Sequence, residues 1–138
     1  MANPRTKGAS GEREVITDLT RHLGMKFSRN LKQYQEAQHG DIEAPEAFPF
    51  TIEVKRHKEG WTCSPAWARQ VFDACRHTNK FPCVAYRHDR HEWRYRVWFD
   101  ALGEAFCGVS GVSNQWADLD INGFAYVCRE IMAGRARG

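Results

Sequence analysis

The sequence alternates most regularly between apolar and polar residues in the segment Phe-Thr-Ile-Glu-Val-Lys, which begins at Phe50. Because side chains two residues apart on a strand leave the same face, Phe50, Ile52 and Val54 would form an apolar face. Glu53 and Lys55 would share the opposite face. A strand of this kind needs neighbouring strands and an apolar layer over its apolar face. The segment therefore predicts a sheet protein in which an acid and a cation project together from one strand.

Other patterns predict helices and strands around this segment. Ser10 is expected to cap a first helix that Gly24 ends, and Ser64 with Pro65 marks the start of a second helix. The short connection after residues 41–44 suggests that this strand forms a hairpin with the Phe50 strand. We expect helices at about 10–23, 65–79 and 122–133, and strands at 25–29, 41–44, 50–55, 81–86 and 92–99. This order predicts an α/β fold, a mixed sheet flanked by helices.

Length and composition limit the class of protein. The 138 residues fit a single domain, and no run of about 18 apolar residues predicts a transmembrane helix. The first residues lack the apolar core of a secretory signal, so we expect a cytoplasmic protein. Five cysteines without C-x-x-C spacing disfavour a zinc site or a disulfide framework. No glycine-rich phosphate-binding motif is present, so we expect no nucleotide cofactor.

The net charge of +3 is unevenly distributed along the chain. Residues 1–100 carry +4 and residues 101–138 carry −1. A basic excess of this size permits a nucleic-acid partner, although an ordinary basic surface has the same charge. Candidate DNA contacts are Lys7, Arg29, Lys32, Arg56, His57 and Lys58. The last three directly follow the Phe50 strand, and a solvated basic loop is the alternative for each of them.

Three residues carry the chemistry that the sequence suggests. Asp41 opens one predicted strand, while Glu53 and Lys55 share a face of the next. Carboxylates on neighbouring strands can bind one hard cation, and phosphoryl transfer needs such a cation because negative charge grows on the phosphate oxygens. A nearby lysine can orient an attacking water. Glu12 lies at the border of the first helix's apolar face, and a cluster of three acids should raise at least one carboxyl pKa. The alternative for an isolated E-x-K is a solvated face with a weak ion pair.

Taken together, these motifs resemble the PD-(D/E)XK nuclease superfamily, most closely its archaeal-type Holliday junction resolvases. The resemblance extends from Lys7 to about Phe99, and the tail from Asp100 falls outside it. Its landmarks are Lys7-Gly8, Glu12-Arg13-Glu14, Gly24, Arg29, Gly40-Asp41-Ile42, Ile52-Glu53-Val54-Lys55, Gln70, Pro82-Cys83-Val84-Ala85 and the strand from Trp93 to Phe99. Gly40 departs from the pattern, because the family has a proline before its first acid.

The resemblance implies a restriction-endonuclease-like fold in a single nuclease domain, with a core at about 7–99 and an extension at 100–138. It implies Mg²⁺, for which Mn²⁺ can substitute, held by Asp41, Glu53 and the Val54 carbonyl. Lys55 would position the attacking water, Glu12 would bind the metal through water or complete the acidic cluster, and Gln70 would support the site.

The implied activity is resolution of four-way DNA junctions by hydrolysis of phosphodiester bonds. Because a junction needs two symmetric cuts and the chain supplies one site, a homodimer is expected. A nuclease of the same fold with a repair, replication or restriction-type DNA target is one alternative, and a non-catalytic DNA-binding module is another. Trp61 could wedge against bases, bridge subunits or pack on its own loop.

Overall fold

The computed structural model describes residues 4–31, 40–108 and 114–138. In these segments the helices are α1 (Pro4–Leu23), α2 (Pro65–Cys75), α3 (Phe99–Cys107) and α4 (Ile121–Arg137). The strands are β1 (Ser28–Arg29), β2 (Ile42–Glu43), β3 (Phe50–His57), β4 (Phe81–His88), β5 (Arg94–Trp98) and β6 (Trp116–Leu119). No helix in the described segments has the length and apolar character that crossing a membrane requires.

The main sheet has the strand order β3-β4-β5-β6. β3 and β4 are parallel, because α2 carries the chain back across the sheet between them, and the other neighbours are antiparallel. The register sets Glu53 beside Val84 and Lys55 beside Tyr86. The predicted α/β class, a mixed sheet flanked by helices, is confirmed.

One face of the sheet supports the main core. Phe50, Ile52 and Val54 of β3 are buried there against α1 and α4. Phe124 of α4 stacks on Tyr95 of β5, with ring centroids 4.8 Å apart and ring planes at 9°. Fully burying an aliphatic or aromatic side chain stabilises a fold by about 1.5–3 kcal/mol. The chain after Asp100 supplies part of this core, so the predicted C-terminal helix does cover the sheet.

The opposite face of β3 and β4 is covered by α2. The α2 residues Val71 and Ala74 are buried, and Val71 packs against Val84 and Tyr86 of β4. Ser64 caps the helix by accepting a hydrogen bond from the Ala66 N–H, and Pro65 takes its first position, as predicted. Because both faces of β3 are covered, its polar residues Thr51 and Glu53 are buried, while the strand becomes exposed at His57.

The predicted hairpin between residues 41–44 and β3 is wrong. β2 instead pairs antiparallel with β1, and Gly40 makes a parallel bridge to Ile52 on the outer edge of β3. The connection after β2 cannot act as a tight hairpin turn, because it buries Phe48, whose ring packs edge-on against Phe27 at 5.0 Å.

Two further expectations about element boundaries are wrong. Ser10 does not cap α1, which begins at Pro4; its hydroxyl instead accepts a hydrogen bond from Arg56 at 3.2 Å. Proline fits the first helical turn because the missing N–H has no partner there in any case. Phe99, expected at the end of a strand, begins α3, and neither α3 nor β6 was predicted. The end of α1 at Gly24 is confirmed, with a left-handed φ of 66°.

Candidate active site

Asp41 is fixed to the outer edge of β3 by two hydrogen bonds. Its N–H donates to the Ile52 carbonyl at 2.9 Å, and its Oδ2 accepts from the Val54 N–H at 2.7 Å. Asp41 is only 7 % exposed. An edge strand has unpaired backbone groups, and here they orient a carboxylate. The carboxyl of Asp41 is thereby held beside that of Glu53, to which it is hydrogen-bonded.

Gly40 makes this approach possible. Its φ is +68°, a left-handed conformation that favours glycine, and a Cβ at this position would lie 2.6 Å from the Ile52 carbonyl oxygen. Proline, which the resolvase pattern has here, cannot adopt a positive φ. The departure from the family pattern therefore has a local structural reason in this chain.

Glu53 is a buried acid with an unsatisfied oxygen. It is 3 % exposed, and its Oε2 has no hydrogen-bond partner among the described residues. Burial, and after it the negative charge of Asp41, raises the pKa of Glu53 to about 9, although the Lys55 ammonium acts in the opposite direction. The expected rise of a carboxyl pKa is confirmed, with burial as its largest cause. At neutral pH the metal-free protein keeps a proton on this pair of acids.

Glu12 lies close enough to influence this pair electrostatically but has another partner. Its Oε1 accepts a hydrogen bond from Arg29 Nε at 2.7 Å, and burial followed by the charge of Asp41 keeps its pKa above the usual value in spite of Arg29. Among the described residues, no three His, Cys, Asp or Glu side chains gather into a metal-binding group. The expected three-carboxylate cluster is therefore a close pair, Asp41 and Glu53, with Glu12 set apart beside Arg29.

The Asp41 and Glu53 pair fits a hard divalent cation. Both carboxylates offer oxygen ligands, Glu53 Oε2 has no hydrogen-bond partner within the described segments, and the protonated pair would release its proton when a cation binds. Mg²⁺ typically uses one or two protein carboxylates and keeps several waters. Lys55 is on the same face of β3 as Glu53, and the backbone of Val54 lies between them.

The remaining predicted residues are less closely associated with the acids. The side chain of Gln70 is exposed on α2. His57 and Lys58 are exposed where β3 ends. Arg56 faces the α1 side, opposite to Lys55, and pairs with Glu14 at 3.1 Å. Lys32 and the side chain of Lys7 lie outside the described residues.

Two supporting residues were missed in the sequence. Asn30 is buried, and its Nδ2 donates to the Gly40 carbonyl at 2.7 Å while its N–H donates to the Asp41 carbonyl at 2.9 Å. Glu14 accepts hydrogen bonds from Arg87 and Trp93 and pairs with Arg56, which ties α1 to the sheet. Neither residue has a local signal, since most of these partners lie more than ten positions away.

In this mixed sheet β3 carries Glu53 and Lys55, and Asp41 is bonded to the outer edge of the strand; two acids and a lysine in this arrangement fit metal-dependent hydrolysis of phosphodiester bonds. Residues 3–120 match the family described as "Phage putative PDDEXK endonuclease", and the chain belongs to this family. Family membership supports a nuclease of the PD-(D/E)XK type, a class that generally uses divalent metals. No curated protein sequence matches the chain.

Among solved structures, the chain is similar to the Holliday junction resolvase Hjc of Archaeoglobus fulgidus, an archaeal hyperthermophile. The two are 21 % identical, 87 % of each chain is covered, and the TM-score is 0.49.

Proposed function

We propose that this protein is a metal-dependent DNA endonuclease that hydrolyses phosphodiester bonds at the Asp41–Glu53–Lys55 site. The observation that carries the proposal is the buried Glu53 carboxyl, which holds an unsatisfied oxygen beside Asp41. An acid in this state is costly for a purely structural role, because a buried polar atom without a partner destabilises the fold. A cation-binding role accounts for that cost.

Each residue has a distinct task in this proposal. Asp41 and Glu53 would hold the cation, preferably Mg²⁺ with Mn²⁺ as a substitute, and the Val54 carbonyl would complete the protein ligands. The bound cation would stabilise negative charge on the phosphate and lower the pKa of a water. Lys55 would orient the attacking water and offset phosphate charge.

Three further residues would support the acids and the lysine without holding the cation directly. Glu12 would accept a hydrogen bond from a water near the cation. Its hydrogen bond with Arg29 would offset part of the negative charge of the Glu12 carboxylate. Asn30 would keep the 40–41 segment against β3 during turnover. Gln70 is proposed as an outer support from the motif alone.

We propose four-way DNA junctions as the preferred substrate. The support is the motif resemblance between Lys7 and Phe99, together with the basic charge of the first hundred residues. A homodimer would supply the two symmetric cuts that a junction needs. We also propose that residues 1–138 form a single nuclease domain. Its proposed location is the cytoplasm of a prokaryotic host, for a prokaryotic or phage-encoded protein.

The decisive experiment compares cleavage of a synthetic four-way junction and of linear duplex, each with and without Mg²⁺. The parent and Asp41→Asn are tested together with Glu46→Gln, a carboxylate-to-amide control at an exposed residue away from the acid pair. We expect Mg²⁺-dependent cutting of the junction by the parent and the control, and none by Asp41→Asn. Faster cutting of duplex would favour a repair, replication or restriction-type nuclease. Tight binding without cutting in Mg²⁺ or Mn²⁺ would favour a DNA-binding module.

A further inference from the structure

Trp61 is the most exposed aromatic side chain in the described part of the chain, with 70 % of its surface accessible. Four of the other five exposed Phe, Tyr and Trp rings there pack on a ring or a guanidinium. Phe72 packs on Trp98 at 4.7 Å, Phe106 stacks on Tyr126 at 5.9 Å, and the Arg96 guanidinium covers Trp116 at 4.7 Å. The Trp61 indole has no such ring or cation partner among the described residues, so its apolar surface remains available.

The loop that carries Trp61 is fastened to the sheet. Gly60 has a φ of +111° and packs so closely on His88 that a Cβ would lie 2.9 Å from Cε1 of that ring. His88 Nε2 donates to the Thr62 carbonyl at 3.1 Å, and Arg94 donates to the Trp61 carbonyl at 3.1 Å. Both neighbours of Trp61 and its own backbone are therefore fixed. A side chain presented on a fixed backbone loses little entropy when it binds.

The surroundings of Trp61 are mainly basic. Trp61 lines a small crevice with Arg87 and Arg94, together with Tyr86, His88 and His91, and Glu92 is the acid in that lining. Lys58 is exposed in the same loop. An aromatic ring among cationic side chains suits a polyanion whose bases can stack, because phosphates bind the cations and a base binds the ring.

The loop directly follows the strand of the proposed active site. Lys55 and His57 leave the same face of β3, and Trp61 follows Lys55 by six residues. Six residues span at most about 20 Å. Since nucleotides on one strand are about 3.4 Å apart along a duplex, this corresponds to roughly six nucleotides. The Trp61 backbone therefore lies within about six nucleotides of the proposed cut.

We propose that Trp61 stacks on an unpaired base of the DNA substrate and thereby selects DNA that is unstacked near the cleavage site. The inference rests on the proposed function, because it needs a DNA substrate at the Lys55 end of β3. Removing the ring would weaken binding to DNA with an unpaired base and leave binding to paired DNA unchanged. A base stacked on an aromatic residue contributes about 1–3 kcal/mol by alanine substitution, or roughly 5- to 150-fold in affinity.

The test measures binding of two oligonucleotide duplexes of equal length in Ca²⁺, one fully paired and one with a three-nucleotide bulge. Trp61→Ala and Trp61→Phe are compared with the parent, and Trp116→Ala is the matched control at a second exposed tryptophan. We expect Trp61→Ala to bind the bulged duplex at least fivefold more weakly. The affinity of Trp61→Phe for the bulged duplex should stay within threefold of that of the parent. Bulged DNA should quench tryptophan fluorescence in the parent, and Trp61→Phe and Trp61→Ala should lose this quenching.

Several outcomes would overturn the inference. One is equal affinity of Trp61→Ala and the parent for bulged DNA, and another is an equal loss for paired and bulged DNA. Conversion of a parental dimer to a monomer by Trp61→Ala, seen by sedimentation, would assign the ring to a subunit contact. If the parent binds neither duplex and cuts no DNA, the proposed function itself fails. Thermal unfolding of each variant confirms that the substitutions leave the fold intact.

Discussion

The two faces of β3 show how one strand serves both stability and chemistry. On one face, Phe50 and Ile52 are buried against α1 and α4 and need no partner beyond apolar contact. On the other, Glu53 is equally buried beneath α2 but retains an unsatisfied oxygen and a raised pKa. The same burial that stabilises an apolar side chain destabilises a charged one. The packing around Glu53 therefore creates a carboxyl of the kind that the proposed function requires, whereas the packing around Phe50 and Ile52 serves stability alone.

The largest expected effect concerns the apolar face. Phe124→Ala should lower the free energy of unfolding by about 3–5 kcal/mol, because the ring is fully buried against Tyr95 and Phe50. Chemical denaturation measures this loss. Phe106→Ala removes the same atoms from an exposed site and should cost less than about 1 kcal/mol. Equal losses for the two variants would mean that α4 does not anchor the core.

The next effect concerns chemistry on the polar face. Lys55→Met should slow Mg²⁺-dependent cleavage about 100-fold or more, equivalent to about 2.7 kcal/mol, with little change in junction binding or in stability. Single-turnover cleavage and a gel-shift assay separate the two properties. Lys26→Met, at an exposed loop residue, is the control. Cleavage by Lys55→Met at the parental rate would remove this lysine from the proposed mechanism.

A third prediction concerns Gly40, which lies against the outer edge of β3. Gly40→Ala should destabilise the protein by about 1–3 kcal/mol and impair cleavage, because the new Cβ would clash with the Ile52 carbonyl and displace Asp41. The same change at Gly8, within α1 and with no neighbouring atom to meet, should be neutral or slightly stabilising. Denaturation and cleavage assays on both variants test this, and an unimpaired Gly40→Ala enzyme would contradict it.

The effect that is smallest per step of the experiment is a pH dependence that comes from Glu53 and is spread over several pH units. Its folded-state pKa of about 9 is above the ordinary value of 4.5, so the folded protein binds more protons than the unfolded chain between these pH values. The contribution of Glu53 to the stability of the metal-free protein should therefore be largest below pH 4.5 and should fall as the pH rises towards 9. The slope is at most about 1.4 kcal/mol per pH unit.

Glu53→Gln should remove this contribution, because an amide does not ionise. Thermal unfolding of the metal-free parent and variant between pH 5 and 9 measures the difference, with Glu46→Gln as the exposed control. The parent should also gain more stability from added Mg²⁺ as pH rises, since a cation competes with the proton. Parallel pH curves for parent and Glu53→Gln would show that Glu53 is already ionised near neutrality.

Local patterns were sufficient for much of the fold. The apolar and polar alternation from Phe50 identified the central strand, Gly24 marked the end of α1, and Ser64 marked the start of α2. The predicted pairing of that strand failed, because the choice of partner depends on what covers each face and not on loop length alone. The sequence offered no sign of α3 or β6, which lie in a tail without a clear periodic pattern.

For the site, the sequence by itself determined the chemical types and their spacing, with two carboxylates and an ammonium on or beside one strand. Only the tertiary structure decided that burial raises the pKa of Glu53, that Glu12 turns to Arg29, and that Arg56 faces away from Lys55. Alternation along a strand is fixed by backbone geometry and can be read locally. Protonation and partner choice depend on burial and on charges distant in the chain, which are defined only once the segments have packed together.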